Sequence, residues 1–513
     1  MRLNDLLQAA NLIQIPLTHP VGNQFVQAIK TDSRTIEPFD VFVSIPCPTA
    51  IDYIETALDK GCRVFVVESE LVDHPLFQEY GVLVVTHANP RLALTQLAAA
   101  FYHGAPSTCV AVTGTNGKTS TVHYVRQFWE HAHRLCASVG TLGLTLNHFY
   151  THGKEADHNI SHTDPTAPYA SLLNGASLTT LDSLRLHQLM QELRKNDIDY
   201  LAFEASSHGL DQYRIHGVSL KAAAFTNLTQ DHMDYHQTMQ DYFKAKTRLF
   251  TEVLPEGAIA IINDDTPYSK QLYDICHMRN QIIWRFSRQP NSSAELLAMN
   301  CRVDGQSQII DLTIHGKYFS DIRLNVTGDF QIENVLAALG LALASGLSIE
   351  ECLSTFPLLH PANGRLEHVA TYNNAHFYVD YAHTPDALEK AIINLRPFVT
   401  SRLWVVFGCG GNRDTTKRPL MGKIAATHAD VCIITDDNPR FEEPELIRRS
   451  ILEACPDGIE IPNRRDAIAY AIHKAKPGDV VLIAGKGHER GQTIGNTTFP
   501  FDDHEEILKA VTL

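Results

Sequence analysis

"TCVAVTGTNGKTSTVHYVRQFW", residues 108–129, decides how the rest of the chain is read. Its first six residues are apolar enough for a buried strand, a glycine loop follows, and Lys118 and Thr119 open a helix. A helix N-terminus behind a glycine turn aims several backbone N–H groups at one point, which suits phosphate oxygens. In such a loop Gly114, Thr115, Asn116 and Gly117 wrap a chain of phosphates, and Lys118 reaches the outer ones. The Thr119 hydroxyl holds Mg²⁺, and Ser120 completes the first helical turn. Val112 stands where the commoner form of the loop has its first glycine, so the motif is G-T-N-G-K-T. A glycine turn with a surface lysine is the plain alternative, and the flanking strand and helix argue against it.

Outward from this loop the same rhythm continues. "YLAFEAS", "AAAFTN" and "AIAIIN" are further strand candidates separated by helices, the pattern of a parallel sheet covered on both faces. Residues 308–327 switch to two-residue alternation, which predicts antiparallel strands. "NVLAALGLALASGLS" predicts a helix with a glycine stop. Upstream, "VFVSIP" and "CRVFVVE" predict strands, and "AIDYIETALDKG" a helix ending at Gly61. Asn89-Pro90 marks a boundary before an amphipathic helix. Downstream, "HFYVDYAH", "LWVVFGCGG", "VCIITDDNP" and "VVLIAGKGH" are buried strands, each emptying into a polar or glycine-rich loop. In open parallel sheets the carboxyl ends of the strands form the ligand crevice, so these loops point to one site. The expected fold is α/β with three domains: 1–88, a central P-loop domain at 89–356 with a mostly parallel sheet, and a Rossmann-like domain at 357–513.

Length and charge bound the function. A chain of 513 residues suggests about three domains. The net charge of −15, from 43 basic and 58 acidic residues, argues against a partner held by phosphate neutralisation, so no nucleic acid is expected. The ten cysteines are scattered with no C-x-x-C pair, and "MRLNDLLQAANLIQ" has no apolar signal core. No apolar run approaches the roughly 18 residues that span a bilayer. These features predict reduced thiols, no membrane association and a cytoplasmic location.

Several residues carry chemistry on their own terms. Glu204 ends a strand in "EASSHGLDQYRIHG", and hard cations take carboxylate oxygens. Gln212 and Arg214 would face a bound anion, with a surface ion pair as an equal alternative for Arg214. His232 and Asp234 leave another strand end, and the helix after them carries Lys244 and Lys246. Residues 146–178 lack periodicity. Their histidines, His148, His152, His158 and His162, have no paired helical spacing and make a weak case for a metal. "IITDDNPRFEEP", residues 433–444, sets Arg440 among acids. It is either a solvated loop, with Asp436 and Asp437 orienting and solvating it, or a place where Asn438 and Arg440 await a guest that brings its own carboxylate.

"GTNGKTS", "EASSHGL", "TNLTQDHMDYH…AKTRLF", "NVLAALG", "NGRLE", "VDYAHTPDAL", "GCGGNRD…KRPLMG", "DDNPR" and "GKGHE" follow one another in an order that resembles the Mur ligases. Among them the set is most similar to the branch that adds the third amino acid to UDP-N-acetylmuramoyl-L-alanyl-D-glutamate. The resemblance covers about residues 100–505, and weakly "TDSRTIEPFDVFV". It implies a three-domain ligase in which a substrate carboxylate attacks the γ-phosphate of ATP and an amine then displaces phosphate. Lys118 and Thr119 would grip the triphosphate and its Mg²⁺, and Glu204 and His232 would serve the metals. Lys246, chosen over Lys244 by its spacing from Tyr242, matches a lysine carbamylated in this family, where the carbamate helps hold a second Mg²⁺. Asn334, Arg365 and Asp380 would hold adenosine, and the third domain would close over the second to exclude water.

The same resemblance assigns the substrates. The UDP-sugar peptide would meet Thr31, Ser33, Thr179, Thr180, Ser206, Gln212 and Arg214. The amino acid would meet Arg413, Asn438, Arg440, Gly485 and Glu489. Two arginines suit a carboxylate and Glu489 suits an ammonium, so meso-diaminopimelate is expected rather than lysine. A monomer is expected. The chain departs from the family on the UDP-sugar side: Phe39 replaces a glycine, "PCPTAIDYI" replaces a glycine-bearing loop, Leu181 replaces a proline in "TTL", and residues 146–178 lengthen a connection. The alternatives are a related amide ligase with another carboxylate substrate, and a non-catalytic nucleotide-binding protein.

Overall fold

The apolar run at the start of the phosphate loop is a strand, Thr108–Thr113, buried along its whole length between two parallel neighbours. Burial on both faces is why it is continuously apolar rather than alternating. The computed structural model describes the chain except for residues 16, 18, 148–165, 174–178, 234 and 513. It falls into two units: Met1–Lys118 with Phe128–Trp284 and Gly340–Leu347, and Thr119–Gln127 with Arg285–Leu339 and Ser348–Leu513.

In the first unit the strand order is Ile259–Asn263, Leu220–Phe225, Thr108–Thr113, Tyr200–Glu204, Cys136–Gly140, Gly143–Leu146, with only the last pair antiparallel. The register sets Val112 beside Glu204 and Thr113 beside Phe225. Three strand ends therefore meet where the phosphate loop begins. A smaller parallel sheet holds Ile29–Lys30, Val41–Val43, Val64–Val67 and Leu83–Thr86 in chain order. Asn89 caps the helix Pro90–Phe101 by accepting from the Arg91 and Leu92 N–H groups. Ala93 and Leu97 of that helix share a core with Leu3, Val41 and Val64, so the helix packs on the small sheet.

Phe39, in place of a family glycine, explains why a glycine belongs there. It adopts φ +75°, and its ring is 55% exposed. A bulky side chain in the left-handed region costs on the order of 1–3 kcal/mol, and here little burial offsets it. Phe39→Gly is expected to raise unfolding stability by about 1 kcal/mol, after glycine's larger unfolded-state entropy is subtracted. Urea unfolding at fixed m-value checks this; a lower midpoint refutes it.

One other departure has a packing reason. Leu181 is buried in the central core with Leu186 and Leu210, which an apolar side chain satisfies. The expectation of an irregular stretch at 146–178 needs correction at both ends. Leu146 closes the strand Gly143–Leu146, and Ala167–Tyr169 and Ala170–Leu173 are helical, with Tyr169 buried in that core. The four histidines named above lie outside the described residues.

In the second unit Leu296–Asp304, Ser307–Ile314 and Lys317–Leu324 pair antiparallel, as the alternation predicts. The helix Asp329–Ala344 ends before Gly346, at φ +100°. A second sheet runs Glu367–Tyr372, Ala375–Asp380, Val480–Ala484, Leu403–Phe407, Val431–Ile434, Ile459–Glu460, with only the first pair antiparallel. The four expected strands are its centre, so the loops after Asp380, Phe407, Ile434 and Ala484 leave from one edge. Among the described residues no helix is long and apolar enough to cross a membrane, and all ten cysteines are free thiols.

Candidate active site

The phosphate loop is built by backbone fit. Gly114 sits at φ +147°, and a Cβ there would lie 1.9 Å from Thr226 Oγ1, so only glycine passes. Gly117, at φ +87°, precedes the helix Lys118–His131. The next strand end braces the loop: Asn116 N–H donates to Asn227 Oδ1 at 2.9 Å, and Thr226 Oγ1 donates to Asn116 O at 2.6 Å. Lys118 Nζ folds back on the loop, donating to Gly114 O at 2.9 Å and Thr115 O at 2.8 Å.

Lys246 Nζ reaches the same loop, donating to Gly114 O at 2.7 Å, with the Tyr242 ring centre 4.4 Å away. Its side chain is 1% exposed, whereas Lys244 points to solvent. Burial, helped by the positive charge of Lys118 and opposed by Asp231, holds the Lys246 amine well below its ordinary pKa. His232, at φ +55°, stands edge-on to His208 at 5.0 Å and to Tyr242 at 6.1 Å between ring centres, with Asp231 3.6 Å from its Nε2.

Glu204 is buried and held from the neighbouring strand end. Thr141 N–H donates to its Oε1 at 2.7 Å and Thr141 Oγ1 to its Oε2 at 3.2 Å. A Cβ on Gly140 would lie 2.2 Å from Oε1, so this approach requires a glycine. Thr179 Oγ1 lies within hydrogen-bond distance of Thr141 Oγ1, at 3.3 Å. Thr180 Oγ1 donates to Glu204 O at 2.8 Å and accepts from Ser206 N–H at 2.9 Å. Arg214 donates to Thr180 O at 2.8 Å and to Gln212 Oε1 at 2.7 Å. Among the described residues Arg214 forms no ion pair, and burial lowers its pKa against the charge of Asp182. Thr179, Thr180, Ser206, Gln212 and Arg214 thus gather around Glu204. Thr31 and Ser33 do not: they follow the first strand of the small sheet, and no hydrogen bond joins them to this group. Among the described residues no three His, Cys, Asp or Glu side chains form a ready metal cluster.

In the second unit Asn334 Nδ2 donates to Gln331 Oε1 at 3.2 Å, and Gln331 Nε2 to Arg365 O at 2.8 Å. Arg365 stacks on the Tyr381 ring at 4.7 Å and approaches Thr119 Oγ1 at 3.5 Å. Asp380 accepts from the Leu366 N–H at 2.6 Å and the Ala382 N–H at 2.8 Å. Burial raises its carboxyl to about 6, opposed by the Arg365 charge and those N–H groups. Ser120 is buried in the first turn of its helix.

The loop after Val431–Ile434 answers the question of its surplus arginine. Three of its four acids are engaged elsewhere: Asp436 with Arg448, Asp437 near Lys486 Nζ at 3.9 Å, and Glu442 with Arg418 at 2.8 Å, while Glu443 is exposed. Asp437 is buried and Asp436 half-buried, so they do not solvate the loop as expected; they tie it down. Arg440, at φ +53°, donates through Nη1 to Gly411 O at 2.7 Å and forms no ion pair among the described residues. Asn438 Nδ2 donates to Glu489 Oε2 at 3.0 Å, and Asn438 Oδ1 accepts from Lys486 Nζ at 3.0 Å. An ammonium has only donors, so Lys486 dictates which way this amide points. Gly485, at φ +116°, would put a Cβ 2.7 Å from Asp437 Oδ2. Arg413 lies exposed on the adjacent loop.

The chain is 41% identical over 514 residues to the UDP-N-acetylmuramoyl-L-alanyl-D-glutamate–2,6-diaminopimelate ligase of Bradyrhizobium diazoefficiens, covering 100% of this chain and 99% of that protein. The protein of that name from Mesorhizobium japonicum is 42% identical over 516 residues, with the same coverage. The chain belongs to the Mur ligase family. Residues 112–342 match the Mur ligase middle domain, and residues 364–487 the family's glutamate ligase domain. A solved structure of a UDP-N-acetylmuramoyl-L-alanyl-D-glutamate–2,6-diaminopimelate ligase aligns with TM-score 0.70 and 29% identity, covering 100% of this chain and 99% of that one. A folylpolyglutamate synthase from Mycobacterium tuberculosis shares the fold, with TM-score 0.59 and 18% identity over 77% of this chain and 90% of that one.

This Mur ligase has further residues around the candidate site that its sequence alone marks weakly or not at all. Thr141 follows "ASVG", a strand ending in glycine, which was a usable signal for a close approach. Lys486 lies inside "GKGHE" but carries no local mark of its burial. Gln331 and Tyr381 had no signal beyond ordinary helix and loop residues, nor did the hairpin Gly491–Ile494 with Thr497–Pro500, whose Thr493 N–H donates to Asn438 Oδ1 at 2.9 Å and whose Gln492 Nε2 donates to Asp437 O at 2.7 Å.

Proposed function

We propose that this Mur ligase is an ATP-dependent acid–amino-acid ligase that joins meso-diaminopimelate to the D-glutamate carboxylate of UDP-N-acetylmuramoyl-L-alanyl-D-glutamate, a step in peptidoglycan precursor synthesis. The observation that carries the choice of amine is Arg440. Its guanidinium donates to a carbonyl and pairs with no carboxylate among the described residues, beside an Asn438–Glu489 pair. A guest with both a carboxylate and an ammonium at its far end suits that arrangement, and lysine offers only the ammonium.

In this reading a carboxylate oxygen of the acceptor attacks the γ-phosphorus of ATP and ADP leaves. The amine nitrogen then attacks the acyl carbon, phosphate leaves with the bonding pair, and the amine proton is released. Gly114 to Lys118 hold the phosphates, and Asn334, Arg365 and Asp380 hold adenosine. Thr180, Ser206, Gln212 and Arg214 hold the UDP-sugar peptide. Mg²⁺ suits the residues present: the Thr119 hydroxyl would serve the triphosphate ion, and the Glu204 carboxylate, His232 and a Lys246 carbamate a second one. Bound there, Mg²⁺ would neutralise phosphate charge. Burial favours the amine form of Lys246, and that form adds CO2 and releases one proton to leave the carbamate. Three domains, at 1–88, 89–356 and 357–513, and a cytoplasmic monomer complete the reading.

Phosphate release tests it, with ATP, Mg²⁺, the UDP-muramoyl dipeptide and either diaminopimelate or L-lysine. Diaminopimelate is expected to support turnover and lysine at least about 100-fold less, the worth of one charge-assisted hydrogen-bonded pair of ~3 kcal/mol. Arg440→Met should remove that preference by raising the diaminopimelate KM. No turnover with either amine sinks the proposal. Turnover with lysine alone refutes the role of Arg440.

A further inference from the structure

Beneath the amino-acid loops lies an ion pair with no contact to solvent. Arg464, the first residue of the helix Arg464–Lys474, donates through Nε and Nη2 to the two carboxylate oxygens of Asp503, each at 2.7 Å. Both side chains are 0% exposed. Arg464 Nη2 also donates to Ala484 O at 2.9 Å. Its Nη1 is buried with no hydrogen-bond partner among the described residues.

Such a pair is a poor way to hold a fold together. Desolvating two charges costs about as much as their attraction returns, and an apolar pair of similar volume is often as stable or more so. The orphaned N–H group adds a further cost. What the pair does that an apolar pair cannot is act on the strand end. Ala484 is the last residue of the central strand Val480–Ala484, and residues 485–489 follow it directly. Gly485 N–H donates to Asp380 O at 3.1 Å, so the strand end is pinned on one side by its neighbour and on the other by Arg464. The loop then carries Lys486 to Asn438 and Glu489. The Arg464 charge also acts favourably on Asp437 and Glu489, two acids with only Lys486 as a close cation among the described residues.

We propose that Arg464 is a positioning residue for the amine substrate: through Ala484 O and its buried charge it sets the loop that presents Lys486, Asn438 and Glu489. The inference rests on the reading of that loop as the diaminopimelate site. Asp503 is its counter-ion, which ties the site to the start of the helix Asp503–Thr512.

The test compares wild type with Asp503→Asn and with the apolar exchange Arg464→Met/Asp503→Leu, in steady-state assays that vary diaminopimelate and ATP separately. Melting curves are recorded alongside. A wild type that does not use diaminopimelate overturns the substrate reading and this inference with it. With an active wild type, the double exchange is expected to keep its melting temperature within a few degrees and to raise the diaminopimelate KM at least tenfold, leaving the ATP KM within twofold. Asp503→Asn, which keeps Arg464 and the volume, should raise the same KM several-fold. A folded double variant with an unchanged diaminopimelate KM overturns the proposal, as do equal rises in both KM values, the mark of a merely structural role. Should the double variant not fold, Asp503→Asn decides by the same two criteria.

Discussion

Lys246→Met is expected to lower turnover about a thousandfold, some 4 kcal/mol in transition-state stabilisation, while leaving the protein as stable as before or more so. The two halves of this expectation come from one feature. The Lys246 amine is buried with one hydrogen bond, to Gly114 O, and an aromatic face. Methionine has nearly the same length and volume and carries no group that must be desolvated. Catalytically, methionine can neither add CO2 nor supply an anionic oxygen beside the phosphate loop. For stability the sign is set by linkage. The pKa of Lys246 lies well below its ordinary value of 10.5 in the native state. Between the native and unfolded values the unfolded chain holds a proton that the native one lacks, so native stability rises with pH across that window. At pH 7 the lysine therefore costs stability, and the variant's advantage should shrink as pH rises toward 10.5. Thermal melts at pH 7 and pH 9.5 check the trend. A variant that loses activity only because it unfolds would refute the separation of the two roles.

Lys118→Ala is expected to abolish turnover to within assay limits, on the order of a thousandfold or more, with a parallel loss of ATP affinity. Lys118 Nζ rests on the carbonyls of Gly114 and Thr115. Those bonds keep the ammonium at the loop where phosphate charge would gather. Its removal takes away a cation held on two loop carbonyls, and Lys246, the other lysine on Gly114 O, is a poor replacement because burial disfavours its charged form. The substitution has a second consequence. The charge of Lys118 is one of the causes holding the Lys246 pKa down, so alanine at 118 should leave a smaller fraction of Lys246 in the amine form. Lys118→Arg should rescue little, since a planar fork does not fill the place of a compact ammonium against phosphate. Calorimetry with ATP separates binding from turnover. Unchanged ATP affinity in Lys118→Ala would contradict the phosphate-loop reading.

What could be read from the chain was whatever local backbone geometry dictates. Gly114 and Gly117 are glycines because the turn needs their conformations, and the helix after them starts where the loop ends. Strand ends could be read because apolar runs stop abruptly at Glu204, Asp380, Ile434 and Ala484. Lys246 could be told from Lys244 by spacing, because helix periodicity buries one and exposes the other. Phe39 stood out only against a family pattern, and its strain became visible once its φ was known.

The amino-acid sequence by itself determined the fold class, the phosphate loop, the strand ends and the family, since all of these are written in short contiguous words. Only the tertiary structure decided which words touch. Strand order brings residue 380 beside residue 484, and residue 407 beside residue 434. From that order follow the hold of Thr141 on Glu204, the orientation that Lys486 imposes on Asn438, and the freedom of Arg440 from the acids around it. Hydrogen bonds and ion pairs between residues tens of positions apart depend on side chains meeting in space at about 3 Å, and no local propensity encodes that distance.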